Sequence, residues 1–379
     1  MGKIATLYEA KILLDLLAEI LSKVNYEQLN IVIKENFPPY VNKYKFGNIK
    51  NITERYLNDF VNEIKKLDDN CFLELKKDII LSKLDFQNNR ILKAIDFFLA
   101  GELIEYYTLI YDTYFNSKTE LKHIYYKTIP KHSPFYRLRE NQPNKYFKYN
   151  EMFHIPFEEI RRTGNQRFSL SGFPSLYLGN STYICWEELS RPSMEKSNFS
   201  VFRNERDVHM FDITPPFEVL NERDLLRFPL GIASSIKFTD SQFPFKSEYL
   251  IPQAIFYSLM RFNKLDVKEN KNIHKLDGIM YMSTLVSEEL LFSDPNQMFN
   301  YVFPVSNILD DGFCTDLKGL FIISQPKTLN EISLKYPQLF FNINLDSDSE
   351  IRIDDYNLSS FYIIEEFLKG RTVKKYIVE

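Results

Sequence analysis

The sequence predicts an α+β fold with two parts, a helical amino-terminal part and a carboxy-terminal part built on short strands. In the first part, apolar residues recur at three- and four-residue spacing, which places them on one face of a helix. After Ile129, Pro, Gly and β-favouring residues occur in short clusters. Because few helical patterns separate these clusters, we expect a mixed β-sheet or β-sandwich with helices and not a doubly wound sheet.

The amino-terminal part, residues 1–128, is predicted to contain four helices. Asn51 and Glu54 have the spacing of a capping box, which marks the start of one helix. Pro38 and Pro39 separate that helix from the one before it. The predicted helices are 10–24, 52–67, 71–84 and 88–116.

The carboxy-terminal part, residues 129–379, is predicted to combine short strands with helices. Pro252 suits the first turn of a helix over 251–262, and Gly370 suits the end of a helix over 359–369. The predicted strands are 168–170, 175–178, 208–213, 278–282, 301–305, 319–323 and 339–343.

Composition and charge exclude several classes of protein. Hydrophobic residues make up 44% and aromatic residues 15% of the chain, which supplies a packed core and excludes a disordered protein. The 47 basic and 51 acidic residues give a net charge of -4, which argues against general nucleic-acid binding. The 3 Cys and 5 His form no disulfide framework or metal motif, so we expect no metal site. No signal peptide or membrane span is evident, so we expect a cytoplasmic protein with no membrane partner.

Arginine is concentrated in one stretch of the chain. Of 15 arginines, 11 lie between Arg137 and Arg261. The planar guanidinium group holds phosphate or carboxylate with two parallel hydrogen bonds. The cluster therefore favours a phosphorylated ligand, although a solvated surface or an internal ion pair would explain any single arginine.

Three reactive or charged side chains leave consecutive predicted elements. Arg167 precedes a short strand, Tyr177 lies in the next strand, and Ser181 can cap a following helix that carries Glu187 and Glu188. Arg, Tyr and Glu could therefore converge on one cleft, which spacing alone does not prove. The alternative for the acidic pair is a favourable charge near a helix start.

Over residues 135–190 the chain resembles the RES family, which is related to the ADP-ribosyltransferase toxins and consumes NAD. Arg137 matches the early Arg of the family pattern, and Arg167 matches the second Arg. Tyr177 stands in the Leu-Tyr-Leu strand, and Glu188 follows it by eleven positions, as in the family. The resemblance implies an ADP-ribosyltransferase-like domain over 129–379.

The RES family pattern also contains a Ser that follows the Glu, and this sequence departs from the family at that position. The corresponding segment reads Tyr249-Leu-Ile-Pro-Gln-Ala254, which places Gln253 at the position of that Ser. Either Gln253 takes over a polar contact, or Ser283 supplies it, or neither does. A catalytically inactive binding protein is therefore a further alternative.

The resemblance implies a role for each matched residue. Arg137 and Arg167 would bind the pyrophosphate of NAD, with Gln253 as a further ligand-binding residue. Tyr177 would stack on or orient the nicotinamide ring. Glu188 would stabilise the oxocarbenium-like transition state at the ribose, so Glu188 and Tyr177 are the expected catalytic residues.

The implied activity is NAD glycohydrolase or phosphorylase, in a toxin or phage-defence effector. The alternative is an ADP-ribosyltransferase that modifies a protein or nucleic acid. NAD would be a substrate, with no prosthetic group, and the expected partners are an antitoxin or regulatory protein and a second copy of the chain. The helical half resembles the HEPN part of HEPN/RES proteins, but no His follows Arg55 or Arg90 at the spacing of HEPN ribonucleases.

Other residues near the motif are expected to be structural. Cys185 has no His partner by spacing, and Trp186 is predicted to lie in the core. His154 is a weak candidate for ligand contact.

Overall fold

The computed structural model describes eleven segments of the chain: 28–31, 48–72, 75–116, 121–141, 146–216, 221–237, 245–269, 274–285, 298–337, 356–371 and 373–375. The predicted helix at 10–24, the break at Pro38 and Pro39, and the predicted strand at 339–343 lie outside these residues. Helix and strand occur together, as expected for the α+β class.

Among the described residues, three long helices precede the sheet: α1 (Ile49–Lys66), α2 (Lys77–Leu99) and α3 (Leu103–Tyr114). The side chain of Asn48 accepts a hydrogen bond from the Asn51 amide, so α1 begins before the predicted cap. The predicted break between 84 and 88 is wrong, because that stretch contains neither Gly nor Pro and continues as helix. The chain instead turns at Gly101, whose φ of 80° lies in the left-handed region.

Ten strands in the described residues form one sheet: β1 (Tyr126–Ile129), β2 (Pro134–Glu140), β3 (Ser175–Gly179), β4 (Ser197–Asn204), β5 (Val208–Asp212), β6 (Gly278–Met282), β7 (Phe299–Pro304), β8 (Phe321–Ser324), β9 (Lys327–Thr328) and β10 (Val373–Lys375). The order is β1-β5-β6-β7-β3-β2-β4-β8-β10, with β9 paired to β4. The β5–β6 pair is parallel, and the other pairs are antiparallel, so the sheet is mixed.

The sheet confirms most of the predicted strands. β3, β5, β6 and β7 lie where strands were predicted. The strand predicted at 319–323 begins later, at Phe321, because Gly319 belongs to a short helix. The strand predicted at 168–170 is wrong, since Gln166 and Ser169 form an isolated bridge across a turn. β4 was not predicted, because its residues are buried on both faces and lack an alternating pattern.

The other α-helices in the described segments are α4 (Thr182–Glu188), α5 (Phe228–Ser234), α6 (Leu250–Lys264), α7 (Asp266–Glu269), α8 (Thr315–Leu320), α9 (Leu329–Ser333) and α10 (Ser360–Lys369). α6 confirms the helix predicted at 251–262, and α10 ends at Gly370 as predicted. No helix among the described segments is both long enough and apolar enough to cross a bilayer.

The amino-terminal helices pack directly on the rest of the chain. The Gln87 side chain donates to the Leu226 carbonyl at 3.0 Å, and the Tyr106 hydroxyl donates to the Leu250 carbonyl. One apolar core runs from α1–α3 through α5 and α6 to one face of the sheet. A second core, which includes Phe135 and Phe303, covers the other face. The first strand of the sheet, β1, begins at Tyr126.

Candidate active site

Two side-chain acceptors, one hydroxyl and one carboxylate, bind backbone amides at the amino-terminal end of the helix that carries Glu188. The Ser181 side chain accepts from the Ile184 amide at 3.1 Å, which confirms the predicted cap. Glu365 of α10 accepts from the Thr182 amide at 2.6 Å. A Cβ at Gly179 would stand 2.4 Å from Ile184 Cγ2, so glycine permits α4 to lie close to the end of β3.

The two neighbouring acids of α4 have different surroundings. Glu187 is 3% exposed, and its carboxylate accepts from Arg191 Nε at 3.0 Å and Nη2 at 3.1 Å. Glu188 is exposed and lines a cavity. Both acids stand at the carboxy-terminal end of α4, so neither caps its start. Of the pair, Glu188 is therefore the residue accessible to a ligand.

The cavity beside Glu188 has a volume of about 520 Å³, and we call it the Glu188 cavity. Four of the five predicted site residues line it: Arg137, Arg167, Tyr177 and Glu188. They come from β2, the loop before β3, β3 itself and α4. Further lining side chains include Tyr249, Tyr281, Thr284 and Asn300.

Glu188 is held through one of its two oxygens. Ser283 Oγ donates to Glu188 Oε1 at 2.6 Å, and Asn300 Nδ2 donates to the same oxygen at 2.7 Å. Burial raises the pKa of Glu188, while the Ser283 hydrogen bond, the charge of Arg167 and the Asn300 hydrogen bond oppose the rise. Glu188 as a whole residue is exposed, but its carboxyl group lies among protein atoms, where two neutral donors orient it.

The guanidinium group of Arg167 is hydrogen-bonded to oxygen atoms of the protein. This group is 8% exposed and donates to the carbonyls of Ser234 at 2.9 Å and Ile236 at 3.1 Å. A further bond reaches Thr284 Oγ1 at 3.3 Å, and the group lies 5.0 Å from the centre of the Tyr249 ring. Burial lowers its pKa, and the charge of Glu188 opposes that effect. Four contacts to protein oxygens leave few donors for a ligand.

Arg137 differs from Arg167 in its hydrogen bonding. Its Nη1 is buried and has no hydrogen-bond partner within the described residues. Burial lowers the pKa of Arg137, and the positive charge of Arg139 adds to this. A guanidinium group nevertheless stays charged near neutral pH. Within the described residues Arg137 therefore lines the cavity without forming a salt bridge to a carboxylate.

Aromatic rings complete the cavity. The Tyr177 hydroxyl is buried beside Ser169, and burial raises the pKa of this phenol. The Tyr281 ring packs on Phe168 with centroids 4.3 Å apart, and burial raises its pKa as well. Tyr249 lies under Arg167. These rings supply apolar faces at which a planar group can stack.

Gln253 does not line the cavity. Its amide donates to Asn165 Oδ1, to the Gln166 carbonyl at 3.2 Å and to the Ser169 carbonyl at 3.3 Å. It supports the loop that carries Arg167. Ser283, and not Gln253, makes the polar contact with Glu188.

Sequence reasoning missed Asn300, Tyr249 and Tyr281 as cavity residues. Asn300 is 5% exposed and stands in the otherwise apolar strand β7. A polar side chain inside a buried strand requires a hydrogen-bond partner, and that signal could have identified it. The two tyrosines gave no such signal, because an aromatic residue fits a strand or helix core equally well.

The structural interpretations of three neighbours agree with their contacts. Burial raises the pKa of Cys185 to about 12, so its thiol is protonated. The Trp186 indole donates to the Pro192 carbonyl at 2.8 Å within the core. His154 is 1% exposed and accepts from the Cys314 amide at 2.9 Å, and burial lowers its pKa to about 4. In the segments given above, no three His, Cys, Asp or Glu side chains form a group suited to a metal ion.

A second cavity of about 1250 Å³ contains none of the predicted residues, and we call it the Asp316 cavity. Two carboxylates line it, and both are ion-paired. Asp277 accepts two bonds from Arg206, at 2.6 and 2.9 Å, and Asp316 pairs with Lys275 at 3.0 Å.

Comparison with known proteins gives one result that bears on the chain. It is 27% identical over 301 residues to "Putative toxin YopC" of Bacillus subtilis (strain 168). The match covers 72% of this chain and 64% of the relative, so the chain spans less than two thirds of that protein's length. No family profile matches the chain, and no solved structure matches it.

Proposed function

We propose that the chain is an enzyme that consumes NAD by cleaving the bond between ribose C1′ and nicotinamide. The observation that carries this proposal is the convergence of an unpaired cation, an oriented carboxylate and aromatic rings on the Glu188 cavity. Its volume of about 520 Å³ lies in the range of small-molecule sites, roughly 300–1000 Å³.

The residues divide the work of this reaction according to their contacts. Arg137 binds the pyrophosphate, because it lines the cavity and its guanidinium group forms no salt bridge within the described residues. Arg167 positions the loop and supplies positive charge near Glu188, which favours the ionised carboxylate. This role replaces the direct pyrophosphate contact expected from the sequence.

Glu188 and the tyrosines act at the bond that breaks. The bond between ribose C1′ and the nicotinamide nitrogen breaks, and its electron pair leaves with nicotinamide. Positive charge therefore develops on the ribose. The Glu188 carboxylate stabilises that charge, and a water molecule then adds at C1′ and loses a proton. Tyr177, Tyr249 and Tyr281 offer ring faces for the nicotinamide or adenine group.

A toxin-like role and an ADP-ribosyltransferase-like arrangement belong to the same proposal. The printed name of the Bacillus subtilis relative supports the first, and the motif around Arg137, Arg167, Tyr177 and Glu188 supports the second. An enzyme that depletes NAD harms its own cell, so a restraining antitoxin or regulatory partner is part of the proposal.

The test is release of nicotinamide from NAD by the purified full-length chain, followed by chromatography. We expect nicotinamide and ADP-ribose in equal amounts. ADP-ribose phosphate formed in phosphate buffer would identify a phosphorylase, and label on a macromolecule would identify a transferase. No nicotinamide release under any of these conditions, together with no NAD binding by calorimetry, would reject the proposal.

A further inference from the structure

Asn300 occupies a position where an amide side chain is costly unless it is hydrogen-bonded. It lies in β7, opposite Gly179 of β3 and Tyr281 of β6, and is 5% exposed. Its strand neighbours Tyr301, Val302 and Phe303 are buried apolar or aromatic residues. Burying an amide without a partner costs about 1–3 kcal/mol, so the bond to Glu188 is what makes Asn300 tolerable here.

The two donors to Glu188 meet on one oxygen. Asn300 Nδ2 and Ser283 Oγ lie 2.7 and 2.6 Å from Oε1. A carboxylate oxygen has two lone pairs, so these two bonds use the hydrogen-bonding capacity of Oε1. Within the described residues Oε2 accepts no hydrogen bond. The donors come from β7 and from the residue after β6, which are paired strands of the sheet.

We propose that Asn300 is a positioning residue that, with Ser283, fixes Oε1 of Glu188 and leaves Oε2 as the oxygen that faces the ribose. The proposal rests on the function proposed above and names the group that sets the orientation of its carboxylate. Asn300 acts through Glu188 and does not touch the bond that breaks.

The charge of Glu188 also responds to the other titratable groups around it. Arg167, from the loop before β3, lowers the pKa of Glu188, and Glu187 of the same helix raises it. Other groups that interact electrostatically with Glu188 come from β3, α4, β6 and the turn before α6: Tyr177, Cys185, Tyr281 and Tyr249. Their protonated forms are neutral near pH 7, so Arg167 and the two donors oppose the effect of burial.

The decisive variant is Asn300→Leu, which keeps the branching and the number of side-chain heavy atoms and removes the donor. Losing a hydrogen bond to a charged group costs about 1.5–3 kcal/mol, so we expect kcat to fall about ten- to hundredfold. KM for NAD should change less than about twofold, because Asn300 does not bind the pyrophosphate. The acid limb of the kcat profile should move to higher pH, since the ionised carboxylate loses a donor.

Asn300→Asp gives a second, isosteric variant with a stronger effect. A carboxylate opposite Glu188 should move the acid limb further in the same direction than leucine does. Melting temperatures of both variants show whether the fold is retained. If leucine prevents folding, Asn300→Asp and Ser283→Ala carry the test.

A readout independent of turnover separates this proposal from the proposed function. The Glu188 carboxyl carbon can be followed by ¹³C NMR as pH is varied, and assigned through its loss in Glu188→Gln. A higher titration midpoint in folded Asn300→Leu supports the positioning role even if the wild type releases no nicotinamide. An unchanged midpoint together with unchanged kcat would overturn it.

Discussion

The Glu188 cavity is smaller than the Asp316 cavity, and the two cavities differ in how the protein pairs their carboxylates. The larger one, about 1250 Å³, has both of its carboxylates neutralised by Arg206 and Lys275. The smaller one, about 520 Å³, contains the Glu188 carboxylate, which forms no salt bridge within the described residues and is bound by neutral donors through a single oxygen. Each cavity also has a buried guanidinium nitrogen without a hydrogen-bond partner among those residues, on Arg137 and on Arg261. The unpaired carboxylate therefore marks a site for a ligand better than volume does.

The largest expected effect comes from Glu188. Glu188→Gln should reduce nicotinamide release at least about a hundredfold, because a neutral amide cannot stabilise the developing positive charge. NAD binding by calorimetry should persist. Asp316→Asn is the matched control in the other cavity and should retain full turnover. A large loss of turnover in Asp316→Asn would break the distinction between the cavities.

Arg137 should show a loss of binding without a loss of stability. Arg137→Ala removes a charge-assisted bond to phosphate, and KM for NAD should rise about ten- to hundredfold. The melting temperature should stay the same or rise, because the variant no longer buries an unpaired guanidinium nitrogen. Lys264→Ala in the Asp316 cavity serves as control. A destabilised Arg137→Ala with unchanged KM would assign Arg137 to the fold.

Arg167 sharpens the comparison, because it lines the Glu188 cavity but resembles Arg206 in being committed to protein acceptors. Lysine cannot reproduce the planar contacts to the Ser234 and Ile236 carbonyls. Arg167→Lys should therefore lower the free energy of unfolding by about 1–3 kcal/mol in denaturant titrations. Retained stability with a raised KM would instead show that Arg167 contacts the ligand.

Glu365 tests the support behind Glu188, and among these variants its replacement should have the smallest effect on turnover. Its carboxylate accepts from the Thr182 amide and the Tyr356 hydroxyl, both at 2.6 Å. Glu365→Ala removes these acceptors and should cost about 1–3 kcal/mol, whereas Glu365→Gln keeps one acceptor oxygen and should cost less.

The pH dependence of Glu365 has a definite sign. Burial raises its pKa in the folded state, so its contribution to stability is greatest below the ordinary Glu range and is lost as pH rises through the raised value. Wild type should therefore gain stability relative to Glu365→Gln as pH falls from neutral. A constant difference between the two proteins in unfolding titrations would contradict this.

The sequence was informative where one local pattern controls one element. The Ser181 cap, the strand carrying Tyr177 and the stop at Gly370 each follow from a few neighbouring residues. Apolar spacing does not show that the helix continues from 84 to 88, whereas the absence of Gly and Pro in that stretch is compatible with a continuous α2. The sheet order also depends on contacts between distant residues, which local patterns do not contain.

The candidate site was predictable in part for the same reason. Arg137, Arg167, Tyr177 and Glu188 reach one cavity, which the motif implied but could not establish. The sequence does not predict that Arg167 is hydrogen-bonded to protein carbonyls whereas Arg137 Nη1 has no hydrogen-bond partner among the described residues. This difference depends on carbonyl groups of Ser234 and Ile236, and these carry no signal in the sequence.

The contact between Glu365 and Thr182 joins residues 183 positions apart. During translation, α4 can form and receive its Ser181 cap long before α10 leaves the ribosome. Until then the Thr182 amide lacks its carboxylate acceptor. The support behind Glu188 is therefore completed only after α10 has been synthesised.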